Sequence, residues 1–201
     1  MMTKIERIYH GDALDVLKTM EDNSVDSVVT DPPYGLSKEP DISEVLTKWL
    51  AGEEYDHGHG GFMGKSWDSF VPHPDLWREV YRVLKPGGHA LVFAGTRTQD
   101  LMTISLRLAG FEVRDVIQHI FFSGFPKGYN VSKAFERRGN LGLASKYEGF
   151  NTNLKPAHEP IIVVRKPLID ADTGRKLTVA DCVEKYGTGA INIDACRIAT
   201  F

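Results

Sequence analysis

The sequence has few cysteines and no long apolar run. Its two cysteines, Cys182 and Cys196, lack the spacing of metal ligands, so we expect free thiols in a reducing compartment. No apolar stretch approaches the roughly 18–20 residues that a membrane span needs. The first residues, MMTKIERIYHGD, contain no apolar signal core. We therefore expect a cytoplasmic protein with no membrane partner.

Excess positive charge is also missing. The formal net charge is −3, which argues against a general nucleic-acid coat. The charges are distributed unevenly, however: residues 1–100 carry 10 basic and 17 acidic side chains (net −7), and residues 101–201 carry 14 and 10 (net +4). A protein that contacts phosphates could use this basic second half, and a solvated helix face explains the same charges at least as well. The positions concerned are Lys127, Lys133, Arg137, Arg138 and Lys146.

Internal repeats and low-complexity tracts are absent, and 201 residues suit one domain with at most a short appendage. Apolar spacing predicts strands over 5–11, 25–30, 89–95, 111–122 and 159–167. It predicts helices over 12–20, 42–51, 73–88, 98–110, 130–138 and 178–187. This alternation indicates an α/β fold with a mostly parallel sheet and helices on both faces.

The most informative stretch is VDSVVTDPPYGL, residues 25–36, in which a β-branched strand runs straight into Asp31-Pro32-Pro33-Tyr34. By itself this tetrapeptide is typical of a turn, because proline fixes φ and keeps the preceding residue extended. Here it follows an apolar strand, with GD about twenty residues upstream and LKPGG downstream. Ligands of α/β sheets bind at the carboxyl ends of strands, where this motif falls.

With these three motifs the sequence resembles the DNA amino-methyltransferases, which methylate N6 of adenine or N4 of cytosine. The resemblance covers residues 5–166 well and 178–198 more loosely. It implies a Rossmann-like fold, S-adenosylmethionine as cofactor and double-stranded DNA as partner. It also implies catalytic roles for Asp31, Pro32, Pro33 and Tyr34. The tetrapeptide is used more by adenine enzymes than by cytosine enzymes, so adenine is favoured.

The residue types suit the chemistry of an exocyclic amine, whose lone pair is delocalised into the base. The Asp31 carboxylate and the Pro32 carbonyl would accept its two hydrogens and stabilise positive charge that develops on nitrogen. Tyr34 would stack on a base flipped out of the duplex. No covalent intermediate is required, which agrees with the absence of a nearby cysteine.

Few residues of the sequence match the family's donor-binding positions. Asp12, with Ala13 beside it, resembles the position that borders the donor's adenosine, and the resemblance implies that Asp31 also contacts the donor. Asp12 suits a helix N-cap equally well, and the two roles are compatible. Phe93-Ala94-Gly95-Thr96 lacks the second glycine of the family's Phe-x-Gly-x-Gly loop, so we do not assign it that role.

Family members with this motif order place the DNA-recognition segment next and the donor-binding loop last. We therefore interpret 1–167 as the catalytic half of an incomplete methyltransferase core and 168–201 as a linker that begins a recognition region. A homodimer or a second chain would then supply the missing donor-binding half, and we expect little turnover from this chain alone.

The Gly-rich loop that contains His57, His59 and Trp67 is a candidate lid over the substrate. We expect no metal site there, because two histidines without further ligands are usually plain loop residues. Trp67 is also a candidate DNA contact, together with Lys127, Lys133, Arg137 and Arg138. Three alternatives remain open: N4-cytosine methylation, a non-catalytic DNA-binding protein or subunit of a split enzyme, and methylation of an amide or amine elsewhere.

Overall fold

A computed structural model describes residues 7–36, 38–60, 68–124 and 128–198. These residues form two compact units. The first contains the described residues up to Ile117 together with those from Pro160 onward, and the second is Gln118–Glu159. In the described part of the chain, no helix combines the length and apolar character needed to cross a membrane.

A four-stranded sheet organises the first unit. Its strands are β1 (Val25–Thr30), β2 (Leu84–Phe93), β3 (Glu112–Ile120) and β4 (His158–Arg165), in the order β1-β2-β4-β3. β1 runs parallel to β2, and β2 runs antiparallel to β4. The expected α/β class is confirmed, and the antiparallel β4 makes the sheet mixed.

Most helices begin and end close to the predicted positions. They are α1 (Ala13–Lys18), α2 (Ile42–Ala51), α3 (Pro74–Val83), α4 (Gln99–Leu108), α5 (Val131–Arg137), α6 (Leu141–Lys146), α7 (Val179–Tyr186) and α8 (Ile193–Cys196). Side-chain caps fix several of the starts: Asp41 accepts from the N–H groups of Ser43 and Glu44, and Thr178 forms a capping box with Asp181. The short helices α6 and α8 were not predicted.

Two predicted elements are wrong. No strand forms over residues 7–11 of the expected 5–11, and no described strand pairs with that segment. The helix predicted over 73–88 ends at Val83, where Leu84 turns to extended backbone (ψ 136°) and starts β2. Pro86 and the left-handed Gly87 (φ 74°) then produce a bulge opposite β1, between the pairs Val25–Leu84 and Ser27–His89.

The hydrophobic core lies between the sheet and helices α2, α3 and α4. Its fully buried side chains include Trp77 from α3, Met102 and Leu106 from α4, and Ile162 and Val164 from β4. Burying such side chains supplies the main stabilising term of the fold, about 1.5–3 kcal/mol for each. This core supports β2, and β2 in turn supports β1 and the segment that follows it.

The segment after β4 packs back onto the start of β2. The Cys182 thiol on α7 lies 3.1 Å from the Pro86 carbonyl, and the Thr188 hydroxyl donates to the same oxygen over 2.5 Å. A Cβ on Gly87 would come within 2.6 Å of the Cys182 sulfur. The left-handed glycine of the bulge is therefore required by close contact as well as by its φ angle.

The second unit has its own small core. The Ser132 hydroxyl of α5 donates to the Ala144 carbonyl of α6 over 2.8 Å. The rings of Phe135 and Tyr147 stack with centroids 5.7 Å apart, and Phe150 meets Tyr147 edge-on at 5.3 Å. Aromatic pairs in these geometries stabilise beyond simple area burial.

Candidate active site

The Asp-Pro-Pro-Tyr segment leaves the carboxyl end of β1, as predicted. Val25–Thr30 forms the strand because its β-branched residues suit an extended backbone, and residues 31–36 have no regular structure. Asp31 is exposed, whereas Pro32, Pro33 and Tyr34 are half-buried. Among the described residues, none forms a hydrogen bond or ion pair with the Asp31 carboxylate.

Two side chains from distant segments hold the backbone at the end of this motif. The Asp68 carboxylate accepts from the Tyr34 N–H over 2.9 Å and from the Gly35 N–H over 3.2 Å, both through Oδ1. The Thr98 hydroxyl donates to the Tyr34 carbonyl over 2.5 Å. Sequence reasoning missed Asp68 and Thr98, because nothing in their local pattern signals a contact with a segment 34 or 64 residues away.

Two glycines allow these segments to approach. Gly35 has a φ of 65°, and a Cβ there would lie 2.9–3.0 Å from the backbone of Phe70 and Val71. A Cβ on Gly95 would lie 3.0 Å from the Thr98 hydroxyl and 3.4 Å from the Tyr34 Cβ. The motif is thus packed between residues 68–71 and 95–98 and is not an independent turn.

A cleft of about 240 Å³ opens beside Gly35, next to the first turn of α4. Its lining combines the apolar side chains of Ile42 and Leu101 with charges of both signs. The charged residues are Lys38, Glu39, Arg97 and Asp100.

The loop proposed as a lid is partly held in an aromatic cluster. His57 is buried and stacks on Phe70 with ring centroids 5.4 Å apart, and His59 meets His57 edge-on at the same separation. The Tyr55 hydroxyl lies 3.3 Å from Nδ1 of His57. Burial, assisted by the nearby Glu44, raises the pKa of the Tyr55 phenol above its ordinary value. Trp67 lies outside the described residues.

Asp12 is the N-cap of α1. Its carboxylate accepts from the Leu14 N–H over 2.9 Å and from the Asp15 N–H over 3.3 Å. This confirms the predicted cap, and a contact with the donor stays a prediction. Ala13 is exposed at the first turn of the same helix.

The predicted DNA contacts fall in the second unit. Lys133, Arg137 and Arg138 are exposed on α5 and at its end, whereas Lys127 lies outside the described residues. Residues 118–159 carry six Lys and Arg against three Asp and Glu, so this unit is positive although the whole chain is negative. Phe122 is 98% exposed on the same unit. Exposed aromatic and basic side chains together suit a nucleic-acid surface.

A protein-family model and several known proteins match this sequence. The family model for DNA methylases of the N6/N4 type matches residues 25–181. The type II methyltransferase M.HindIII of Haemophilus influenzae is 28% identical over 206 residues, which cover 94% of this chain and 65% of the relative. M.SfiI of Streptomyces fimbriatus is 34% identical over 89 residues, which cover 44% of this chain and 18% of the relative.

Solved structures resemble the chain more distantly. The M1.HpyAVI–SAM complex has a TM-score of 0.42 at 16% identity, and the match covers 85% of this chain and 60% of the M1.HpyAVI chain. The PvuII DNA methyltransferase, described as cytosine-N4-specific, has a TM-score of 0.44 at 15% identity and covers 78% and 48%. The chain thus spans only part of each of these proteins.

Proposed function

Since the chain belongs to the N6/N4 DNA methylase family, we propose that it carries the acceptor site of a DNA methyltransferase that uses S-adenosylmethionine to methylate N6 of adenine. The observation that carries this proposal is the Asp31 carboxylate. It directly follows β1, has no partner among the described residues and lies on a segment held at Tyr34 and Gly35.

Each residue of the motif that contacts the target base has a different role. Asp31 accepts one hydrogen of the amino group and the Pro32 carbonyl accepts the other, so that the nitrogen lone pair becomes available. The carboxylate also stabilises positive charge that develops on the nitrogen, and a preorganised group of this kind is typically worth 10²–10³-fold in rate. Tyr34 stacks on the flipped base. When bound, S-adenosylmethionine supplies an electrophilic methyl group.

Adenine is favoured over cytosine only by the tyrosine-containing form of the motif. The test is to incubate the chain, together with the chain that supplies the donor-binding half, with duplex DNA and labelled S-adenosylmethionine and to analyse the nucleosides by mass spectrometry. N6-methyl-2′-deoxyadenosine that disappears in Asp31→Ala supports the proposal. N4-methyl-2′-deoxycytidine instead would support the alternative target, and labelled glutamine or lysine in added peptides would support a protein substrate.

The described residues fit the donor only in part. Asp12 and Asp31 are present, but no Phe-x-Gly-x-Gly sequence occurs in the chain. Among the described strands, β1 pairs only with β2, and Val29 on it is 69% exposed. An open edge of this kind is a template for further pairing. We propose that a second chain carrying the donor-binding half covers this edge of β1.

Calorimetric titration with S-adenosylmethionine tests this part of the proposal, with Asp12→Ala as the control. No binding to the isolated chain agrees with a missing donor site. Suppose instead that S-adenosylmethionine binds, that Asp12→Ala abolishes this binding and that the chain sediments as a dimer. A second copy of this chain would then supply the donor site in place of a different second chain. Binding to a monomer would refute the need for any partner.

DNA contact by the second unit is tested through salt. Log K for DNA falls with log salt by about 0.9 for each phosphate neutralised. If Arg137 and Arg138 each contact a phosphate, the double variant Arg137→Ala/Arg138→Ala lowers that slope by about 2. Arg175→Ala/Lys176→Ala removes an equally exposed pair from the first unit and is the matched control. Equal slopes for both variants would contradict the proposal that Arg137 and Arg138 contact DNA.

Salt-sensitive DNA binding without any donor binding or turnover, even with a second chain present, would favour the non-catalytic alternative.

A further inference from the structure

We infer that Asp68 and Thr98 are positioning residues for the acceptor site: they hold the peptide units on both sides of Tyr34 so that Asp31 and Pro32 face the target amine. This inference rests on the proposed function of the motif. Neither residue belongs to the Asp-Pro-Pro-Tyr sequence, and both reach it from segments that follow it in the chain.

Asp68 provides the stronger of the two contacts. Its side chain is only 8% exposed, and one carboxylate oxygen accepts two successive backbone N–H groups. The N–H groups of Tyr34 and Gly35 thus converge on a single anionic oxygen, as successive backbone N–H groups do in an anion-binding nest. Charge-assisted hydrogen bonds are roughly twice as strong as neutral ones, and burial protects these from screening.

Thr98 holds the opposite side of the same residue. It is the N-cap of α4, a position where a threonine hydroxyl usually accepts from the helix backbone. Here the hydroxyl makes no such cap and donates to the Tyr34 carbonyl instead. The only side-chain hydrogen bond found for Thr98 among the described residues therefore goes to the motif and not to the first turn of α4.

The geometry of the motif explains why such contacts matter. No described residue fixes the Asp31 carboxylate directly, so its direction depends on the backbone that carries it. Two prolines restrict φ within the motif, and Asp68 and Thr98 fix its far end. Catalytic groups must be held within about 0.5 Å of the productive geometry, and a displacement of about 1 Å can cost 10²-fold in rate.

The test compares graded variants of the full chain. Asp68→Ala removes the oxygen that accepts both hydrogen bonds, whereas Asp68→Asn keeps an acceptor oxygen without the charge. Thr98→Val removes the donor at nearly constant volume, and Thr98→Ser keeps it. Two properties are measured: amide hydrogen exchange at Tyr34 and Gly35 by NMR, and methyl transfer to DNA with the donor-binding chain present.

We expect Asp68→Ala to accelerate exchange at Tyr34 and Gly35 at least tenfold, while the β4 amides of Val163 and Val164 keep their protection. In the transfer assay, Asp68→Ala and Thr98→Val should lower kcat by about 10–100-fold with little change in KM for the donor. Thr98→Ser should retain most of the activity, and Asp68→Asn should fall between the unaltered chain and Asp68→Ala.

Several results would overturn the inference. Unchanged exchange at Tyr34 and Gly35 in Asp68→Ala would do so, as would equal losses in Thr98→Ser and Thr98→Val. A loss of kcat in step with a fall in Tm would indicate only a structural role. Inactivity of the unaltered chain with its partner would reject the proposed function itself. Normal activity of both the unaltered chain and Asp68→Ala would reject the positioning role alone.

Discussion

Substitution of Gly35 by alanine isolates the steric constraint on the motif, because the chain contains a matched control. Gly35 and Gly58 have the same φ of 65°. A Cβ on Gly58 meets no atom of the described residues within 4 Å, whereas a Cβ on Gly35 meets the backbone of Phe70 and Val71 at 2.9–3.0 Å. Any loss of unfolded-state entropy is shared by the two variants and cancels in their difference.

The expected magnitudes follow from these contacts. The left-handed conformation costs a non-glycine residue about 1–2 kcal/mol at either position. At Gly35 the contact with backbone adds about 1–3 kcal/mol, as overpacking typically does. For a chain of this size 1 kcal/mol lowers Tm by about 2–4 °C. We therefore expect Gly35→Ala to melt about 2–12 °C below Gly58→Ala.

Calorimetric melting of both variants beside the unaltered chain measures this difference, and urea unfolding checks it at constant temperature. Equal Tm values for Gly35→Ala and Gly58→Ala would refute the close packing of the motif against residues 70–71. A normal Tm for Gly35→Ala combined with rapid exchange of the Tyr34 amide would show instead that the motif moves away from Asp68 and leaves the core unchanged.

Three further predictions concern stability. Burial lowers the pKa of Lys166 to about 8, so the folded chain binds fewer protons than the unfolded chain between pH 8 and 10. The free energy of unfolding should therefore rise by on the order of 1 kcal/mol over this pH range. Urea titrations measure this rise, and Lys166→Met should abolish it. The Lys185 ammonium holds the pKa of Asp170 well below its usual range, so stability should fall as pH drops below about 4, and less steeply in Asp170→Asn when followed by circular dichroism. Thr178→Val removes the capping box and should cost about 1 kcal/mol in urea unfolding, unlike the exposed, non-capping Val179→Thr.

The sequence predicts most of the fold because its signals are local. Asp12 and Thr178 precede apolar periodicity and are observed as caps, and the β-branched run that ends at Thr30 is observed as a strand. The bulge near the start of β2 was not predictable in this way. It depends on Gly87 fitting against Cys182 and Gly189, about a hundred residues later.

The candidate active site was also predicted only where the signal is local. The motif of Asp31 follows β1 as predicted, and the catalytic role of Asp31 stays a prediction. Asp68 and Thr98 were missed because each is an ordinary polar residue whose partner is chosen by the fold. The strand expected over 5–11 failed for a related reason. Alternation alone does not stabilise a strand, which needs a neighbour to pair with.

The two distant contacts of Tyr34 also bear on the order in which the chain acquires its structure. The tetrapeptide is joined to residues 34 and 64 positions away, so forming the site requires closing long loops first. During synthesis, the motif emerges from the ribosome well before either partner exists. A fragment ending before Thr98 would therefore contain every letter of the motif and lack the arrangement that makes it useful.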